Sequence, residues 1–104
     1  MVLTAWRRLL VMDRVAHRVS RAGRDIHLGP TEYRLLDHLM QHPGRVFSRE
    51  QLLAAGGVPS DAGYERNVDS HIKSLRAKLR LIAATAEPIQ THRGLGYSYS
   101  PSHA

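Results

Sequence analysis

The side chains of this 104-residue chain that are best suited to chemistry are the basic ones between residues 66 and 93. This stretch holds six Lys or Arg residues against two acidic ones, whereas residues 25–65 hold three Arg residues against six acidic ones. The whole chain carries a formal net charge of +6 at pH 7. A positive excess concentrated in one part of a small chain indicates a polyanionic partner.

Sequence patterns typical of catalysis are absent. There is no Gly-x-Ser-x-Gly turn and no phosphate-binding glycine loop, so we expect no enzymatic activity. The chain has no cysteine, which excludes disulfides and thiolate metal sites. His38 and His42 have a spacing that two metal ligands on a helix could share, but no third ligand accompanies them, and we expect neither a metal nor a cofactor.

The length favours one domain. We assign residues 9–100 to it, residues 1–8 to a linker or to vector-derived sequence, and residues 101–104 to a tail. No apolar run is long enough to cross a membrane and no secretory signal is present. We therefore expect a cytoplasmic protein that does not bind a membrane.

Five of the six basic residues between positions 66 and 93 fall on one predicted helix. Apolar residues recur at spacings of four and three along residues 68–82, within one stripe of a helix that should be buried. These residues are Val68, Ile72, Leu75, Leu79 and Ile82. The residues expected to face away from the core are Arg66, Ser70, Lys73, Ser74 and Ala77, with His71, Lys78, Arg76 and Arg80 on the flanks.

A β-hairpin is predicted to follow this helix. Its strands are Ile89 to His92 and Tyr97 to Tyr99, and the connection between them is Arg93-Gly94-Leu95-Gly96. The two glycines allow positive φ angles, which keeps Arg93 near the tip of the hairpin.

The elements before the basic helix are a small sheet and two helices. The pattern of residues 9–28 predicts an antiparallel meander, with its clearest turn at residues 21–24. A first helix should run from Pro30 to about Gln41, where Pro43-Gly44 ends it. A second, short helix should run from about Arg49 to Ala55, because Ser48 to Gln51 form a capping box.

This order of elements predicts an α+β fold of the winged helix-turn-helix type. The fold has an N-terminal antiparallel sheet, a three-helix core and a C-terminal β-hairpin wing. A helix fits the major groove of DNA, where its outward side chains can reach base edges. An arginine at the hairpin tip can enter the minor groove, whose negative potential attracts guanidinium.

The chain also resembles a known family. Four runs carry the resemblance: Gly29 to Leu36, His42 to Leu53, Arg66 to Leu79 and Thr91 to Tyr97. In order and spacing they resemble the effector domain of OmpR/PhoB-type response regulators over roughly residues 9–99. Within that family, the third helix and the Thr-His-Arg-Gly sequence are most similar to the CreB branch.

The resemblance implies a transcription regulator, the output domain of a two-component system, that binds specific double-stranded DNA. It implies that the domain is monomeric alone, pairs head-to-tail on direct repeats, and normally follows a receiver domain, which this chain does not hold. The loop from Gly56 to Glu65 would contact RNA polymerase. The DNA-binding positions carried over from the family are Arg66, His71, Lys73, Ser74, Arg76, Thr91, Arg93 and Tyr97.

Three positions depart from the family pattern. Gly29 replaces the usual Thr before the first helix, although Glu32 can still reach the Gly29 amide, so the loss should be a few tenths of a kcal/mol. Ala55-Gly56-Gly57 replaces an aromatic at the end of the second helix, which puts the polymerase contact in question. Ser74 stands where arginine is frequent and would read DNA differently or bond a phosphate.

Several alternatives stay open from the sequence. Tyr97 could be a core aromatic of the hairpin, and Thr91 an ordinary strand residue. The domain could instead be a protein-interaction winged helix that docks an acidic partner on its basic face. RNA binding is a further alternative, but the aromatic residues that it would use for stacking do not cluster on that face.

Overall fold

A computed structural model describes residues 10–56, 65–84 and 86–103, with backbone alone for residues 65–67 and 103. Within these ranges the chain forms five strands and three α-helices, in the order expected for a winged helix. The predicted linker at residues 1–8 lies outside the described residues.

The N-terminal meander is confirmed as a three-stranded antiparallel sheet in the order β1-β2-β3. Its strands are β1 (Val11–Asp13), β2 (Arg18–Arg21) and β3 (Arg24–His27). The turn between β2 and β3 consists of Ala22 and Gly23, with φ angles of 52° and 82°. Two positive φ angles in a two-residue turn match the right-handed twist of the flanking strands.

Helices α1 (Pro30–Gln41) and α2 (Arg49–Gly56) begin at the predicted residues. The Gly29 amide donates to Glu32 Oε1 at 2.9 Å, so the glycine departure leaves this half of the capping box in place. At α2, the Ser48 amide donates to Gln51 Oε1 at 2.9 Å and the Gln51 amide donates to Ser48 Oγ at 3.1 Å. The predicted capping box is therefore formed, and α2 ends one residue later than expected.

Helix α3 (Glu65–Ile82) buries the predicted apolar stripe. All five residues of that stripe are at most 8% exposed. They pack into one core with leucines of α1 and α2 and with residues of both sheets. Among the described residues, no helix has the length and apolar composition needed to cross a membrane.

The C-terminal hairpin, here called the wing, consists of β4 (Ile89–His92) and β5 (Gly96–Tyr99). A third segment pairs with it, because the Phe47 amide donates to the Tyr97 carbonyl at 2.8 Å and the Tyr97 amide donates to the Phe47 carbonyl at 2.9 Å. The residue that precedes the α2 cap is thereby joined to the wing.

Gly96 is required by this pairing. Its φ is +141°, and a Cβ built on it would lie 1.8 Å from the Phe47 carbonyl oxygen. That oxygen is backbone and accepts the Tyr97 amide, so it cannot move aside without breaking the pairing.

We expect Gly96→Ala to lower the free energy of unfolding by at least about 3 kcal/mol, because it adds a backbone clash to a strained φ. Gly23→Ala is the matched control. Gly23 also has a positive φ, +82°, but no heavy atom lies within 4 Å of its would-be Cβ. The control should cost only about 1 kcal/mol. Urea unfolding of the two variants measures the difference, and equal losses would contradict the steric argument.

Candidate nucleic-acid interface

The exposed face of α3 and the wing are joined directly by Arg76. Its Nη2 donates to the Ile89 carbonyl at 2.9 Å and to Thr91 Oγ1 at 2.7 Å. Both acceptors lie in β4. The guanidinium carbon also lies 5.6 Å from the centre of the Tyr97 ring, a cation–π distance. These contacts hold the basic helix and the wing in one relative orientation.

A second link runs through Asp69, on the flank of α3. Asp69 Oδ1 accepts from Arg49 Nε at 2.8 Å and from the Tyr97 hydroxyl. Burial alone would raise the pKa of Asp69, but the hydrogen bonds from Tyr97 and Arg49 outweigh it, and the pKa lies below its ordinary value. Burial and the bond to Asp69 raise the pKa of Tyr97. Asp69 is therefore a carboxylate, and Tyr97 a neutral donor, at neutral pH.

A third link holds α3 to the start of α1 through the buried carboxylate of Glu32, which is 6% exposed. Its Oε1 accepts from Lys78 Nζ at 2.5 Å and its Oε2 from Ser74 Oγ at 2.6 Å, in addition to the Gly29 amide. Burial would raise the pKa of Glu32, but the bonds from Lys78, Ser74 and Gly29 outweigh it and lower the pKa. Both oxygens of this carboxylate are thus occupied by donors.

Two of the predicted contact residues remain available to a ligand. Lys73 is exposed on α3 and Arg93 is exposed at the wing tip. Neither makes a hydrogen bond or an ion pair within the described ranges. His71 is half-buried on the same helix. These side chains place two permanent cations, one on each projecting element, where a polyanion can reach them.

Four of the other predicted contact residues, Ser74, Arg76, Thr91 and Tyr97, have partners inside the protein. Ser74 bonds Glu32, while Arg76 and Thr91 bond each other. Tyr97 is 5% exposed, which confirms the alternative that it is a core aromatic of the hairpin. Arg66 lies in α3, but its side chain is outside the described residues, as are residues 57–64 of the predicted polymerase loop.

Sequence reasoning missed Arg49 and Asp69 as a linked pair. Arg49 is the first residue of α2 and lies 5.9 Å from the Tyr97 ring centre, in addition to its bond to Asp69. The signal available in the sequence was an acidic residue next to the apolar stripe of a predominantly basic helix. Its partner could not be identified, because the two residues are twenty positions apart and meet only in the folded chain.

Some of the N-terminal positive charge is neutralised within the protein. Arg18 Nε lies 2.5 Å from Asp25 Oδ2 across the β2–β3 pair, and Arg14 Nη2 lies 3.7 Å from Asp37 Oδ1 in α1. Three of these four side chains are exposed, and both pairs contribute little to stability. Arg14 and Arg18 are therefore already paired with acidic residues from the acidic part of the chain, residues 25–65.

His38 and His42 lie beside Phe47. Their ring centres are 5.6 Å apart, and they are 4.5 and 5.7 Å from the Phe47 ring centre. In the parts of the chain that the structure describes, no group of three His, Asp or Glu residues is placed to hold a metal ion. Aromatic packing accounts for the position of both imidazoles.

Comparison with known proteins finds a match to one family model. Residues 23–99 match the family described as "Transcriptional regulatory protein, C terminal". The phosphate regulon transcriptional regulatory protein PhoB of Rhizobium meliloti is 51% identical over 89 residues, which are 84% of this chain and 38% of PhoB. The transcriptional regulatory protein CreB of Escherichia coli is 44% identical over 87 residues, again 84% of this chain and 38% of the relative.

The chain therefore spans 38% of the length of these two relatives. Because PhoB is the more similar of the two, these identities do not single out the CreB branch. Among solved structures, the DNA-binding domain of RstA from Klebsiella pneumoniae, in complex with the RstA box, superposes with a TM-score of 0.74. It is 32% identical, and the match covers 88% of this chain and 91% of the RstA domain.

The Glu32 cluster predicts an acid-sensitive stability. A pKa that is lower in the folded than in the unfolded chain stabilises the fold above the unfolded value, about 4.5, and this contribution is lost as the pH falls through the folded value. At pH 7 we expect Glu32→Gln to lower the free energy of unfolding by about 2 kcal/mol, because it removes charge from three hydrogen bonds at a buried site. The difference between the variant and the wild type should shrink as the pH falls from the unfolded value toward the lower folded one, because protonation then removes the same charge.

Urea unfolding between pH 3 and pH 7 measures both effects. The control is Glu87→Gln, which changes an exposed carboxylate and should leave the curve nearly unchanged. If Glu32→Gln lowered the free energy of unfolding equally at pH 3 and pH 7, the shape of the side chain, rather than its charge, would stabilise this site.

Proposed function

Because the chain belongs to the family of C-terminal domains of transcriptional regulatory proteins, we propose that it binds specific sequences of double-stranded DNA to regulate transcription. We propose that α3 enters the major groove and that Arg93 at the wing tip enters the adjacent minor groove. The observation that carries this proposal is the pair of available cations, Lys73 and Arg93, on two projecting elements that Arg76 ties together.

The dimensions of the two elements support this assignment. An α-helix with its side chains is about 10 to 12 Å across, and the major groove is about 12 Å wide. The wing tip presents one arginine, and the minor groove, about 6 Å wide, attracts guanidinium most strongly where it is narrow. The DNA complex of RstA, a domain of the same fold and 32% identity, supports duplex DNA as the ligand.

The contacts divide the predicted DNA-binding residues into two groups. Lys73, Arg93 and His71 would contact DNA, together with Arg66, whose position on α3 matches the family pattern. The second group would position the first, and its members are Ser74, Arg76, Thr91 and Tyr97. Each of these has a hydrogen bond inside the protein that fixes α3 or the wing. A phosphate could still replace the Thr91 hydroxyl as a partner of Arg76, since Thr91 is exposed.

The remaining partners follow from the family resemblance. We propose that this domain is the output of a two-component response regulator, that it pairs head-to-tail on direct repeats, and that the Gly56 to Glu65 loop contacts RNA polymerase. The 38% coverage of PhoB and of CreB leaves room in such regulators for a receiver domain. Docking of an acidic protein on the basic face is the competing function, and excess random duplex would not displace such a partner.

Duplex binding should depend strongly on salt. If about four to six cations contact phosphates, log K should fall against log salt concentration with a slope of about −4 to −5, because each neutralised phosphate releases a counterion. Fluorescence anisotropy of a labelled duplex between 50 and 200 mM salt measures the slope. A flat response, or no binding at low salt, would contradict the proposed function.

Two substitutions separate the roles of the wing and the helix. Arg93→Ala should make the salt slope shallower by about one and should weaken binding most on duplexes with AT-rich flanks. Lys73→Ala should relax the preference for the central bases, because its side chain faces the major groove. Arg24→Ala, an exposed arginine of the N-terminal sheet, is the control. If both variants bound a selected site like the control, the assignment of the two faces to DNA would be wrong.

A further inference from the structure

We infer that Leu95 is a second contact residue of the wing tip and that it packs against the sugar walls of the DNA minor groove beside Arg93. This inference rests on the proposed function, since it concerns the same groove. Neither the packing of the core nor the charge pattern explains why an apolar side chain stands at this exposed position, and the inference gives it a role.

The wing tip offers two side chains to a ligand. Of the four residues that follow His92, the second and fourth are glycines, which leaves Arg93 and Leu95. Arg93 is exposed, and Leu95 is 67% exposed and outside the hydrophobic core. The tip therefore carries one cation and one branched apolar group.

The backbone of the tip is fixed by local contacts. The Leu95 amide donates to the His92 carbonyl at 2.8 Å and closes the turn, and Gly94 supplies the positive φ of 76° that the turn needs. Below the turn, His92 pairs with Gly96, and Gly96 packs directly on the Phe47 carbonyl. Leu95 and Arg93 are consequently presented together, and one cannot enter a groove while the other stays remote.

Leu95 lies close enough to Arg93 to reach a wall of the same groove. The Cα atoms of two residues that flank a single residue are at most about 7 Å apart, and the minor groove is about 6 Å wide. When Arg93 lies in the groove, Leu95 is therefore within reach of one of its walls. Those walls are deoxyribose rings, whose C–H surfaces take the leucine methyl groups out of water.

This contact would add a selectivity that differs from that of the arginine. Arg93 responds to the electrostatic potential of the groove, whereas an apolar side chain gains most when the wall is close. A-tracts have a narrow minor groove and would give Leu95 the closest contact. The tip would then select narrow grooves by two independent means, one charged and one apolar.

The test compares Leu95→Ala with Val11→Ala, which shortens a similarly exposed apolar side chain (61%) on the outer strand of the N-terminal sheet. Affinity is measured on one duplex with AT-rich flanks and on one with GC-rich flanks, over a range of salt. We expect Leu95→Ala to bind the AT-rich duplex about 5- to 10-fold more weakly than wild type. The loss should shrink on the GC-rich duplex, and the salt slope should stay unchanged because no charge is removed. Val11→Ala should bind both duplexes like wild type.

The outcomes separate this inference from the proposed function. If wild type binds a duplex with the expected salt slope and Leu95→Ala binds as tightly as Val11→Ala, the inference is wrong and the proposed function stands. An equal loss on both duplexes would also overturn the groove-wall contact. Absence of salt-dependent binding by wild type would instead overturn the proposed function itself. Equal melting temperatures of wild type and the two variants exclude unfolding as the cause of any loss.

Discussion

The relative position of the basic helix and the wing depends on the pairing of Tyr97 with three other segments. Its backbone pairs with Phe47 ahead of α2, its hydroxyl donates to Asp69 of α3, and its ring lies within 6 Å of two guanidinium groups, those of Arg49 and Arg76. The pairing with Phe47 requires Gly96 to approach a carbonyl closely, and the bond to Asp69 requires a carboxylate that stays ionised. One residue thus connects all the elements that carry the proposed interface.

A second connection, at Glu32, resolves one of the departures from the family pattern. Serine replaces a frequent arginine at position 74, and the sequence suggested a changed DNA contact there. In the structure, the Ser74 hydroxyl donates a hydrogen bond to Glu32, and Lys78 from the next turn of α3 also donates to that carboxylate. A short neutral donor and a lysine together satisfy a carboxylate that is otherwise buried. Burying such a group without donors would cost several kcal/mol, so these two residues serve the orientation of α3.

Much of the fold was predictable because it follows from local patterns. The apolar stripe of α3, the capping box of Ser48 and Gln51, and the two-residue turn at Ala22 and Gly23 are each specified within a few neighbouring residues. The family resemblance is confirmed by the match over residues 23–99. What the sequence could not reveal was the partner of each polar side chain. Arg76 and Thr91 are separated by fifteen positions, and Glu32 and Lys78 by forty-six, so exposure and pairing at the site depend on packing that no local pattern encodes.

The close approach of Gly96 to Phe47 also has a consequence for how binding preferences in such a domain can diverge over time. Any side chain at position 96 collides with the backbone, whereas position 95 is open and contributes nothing to the core. Folding therefore constrains substitution at position 96, whereas it leaves position 95, close to Arg93, open to other side chains. In the proposed interface, a duplicated gene could therefore change the wing-tip contact at position 95 without compensating changes in the core.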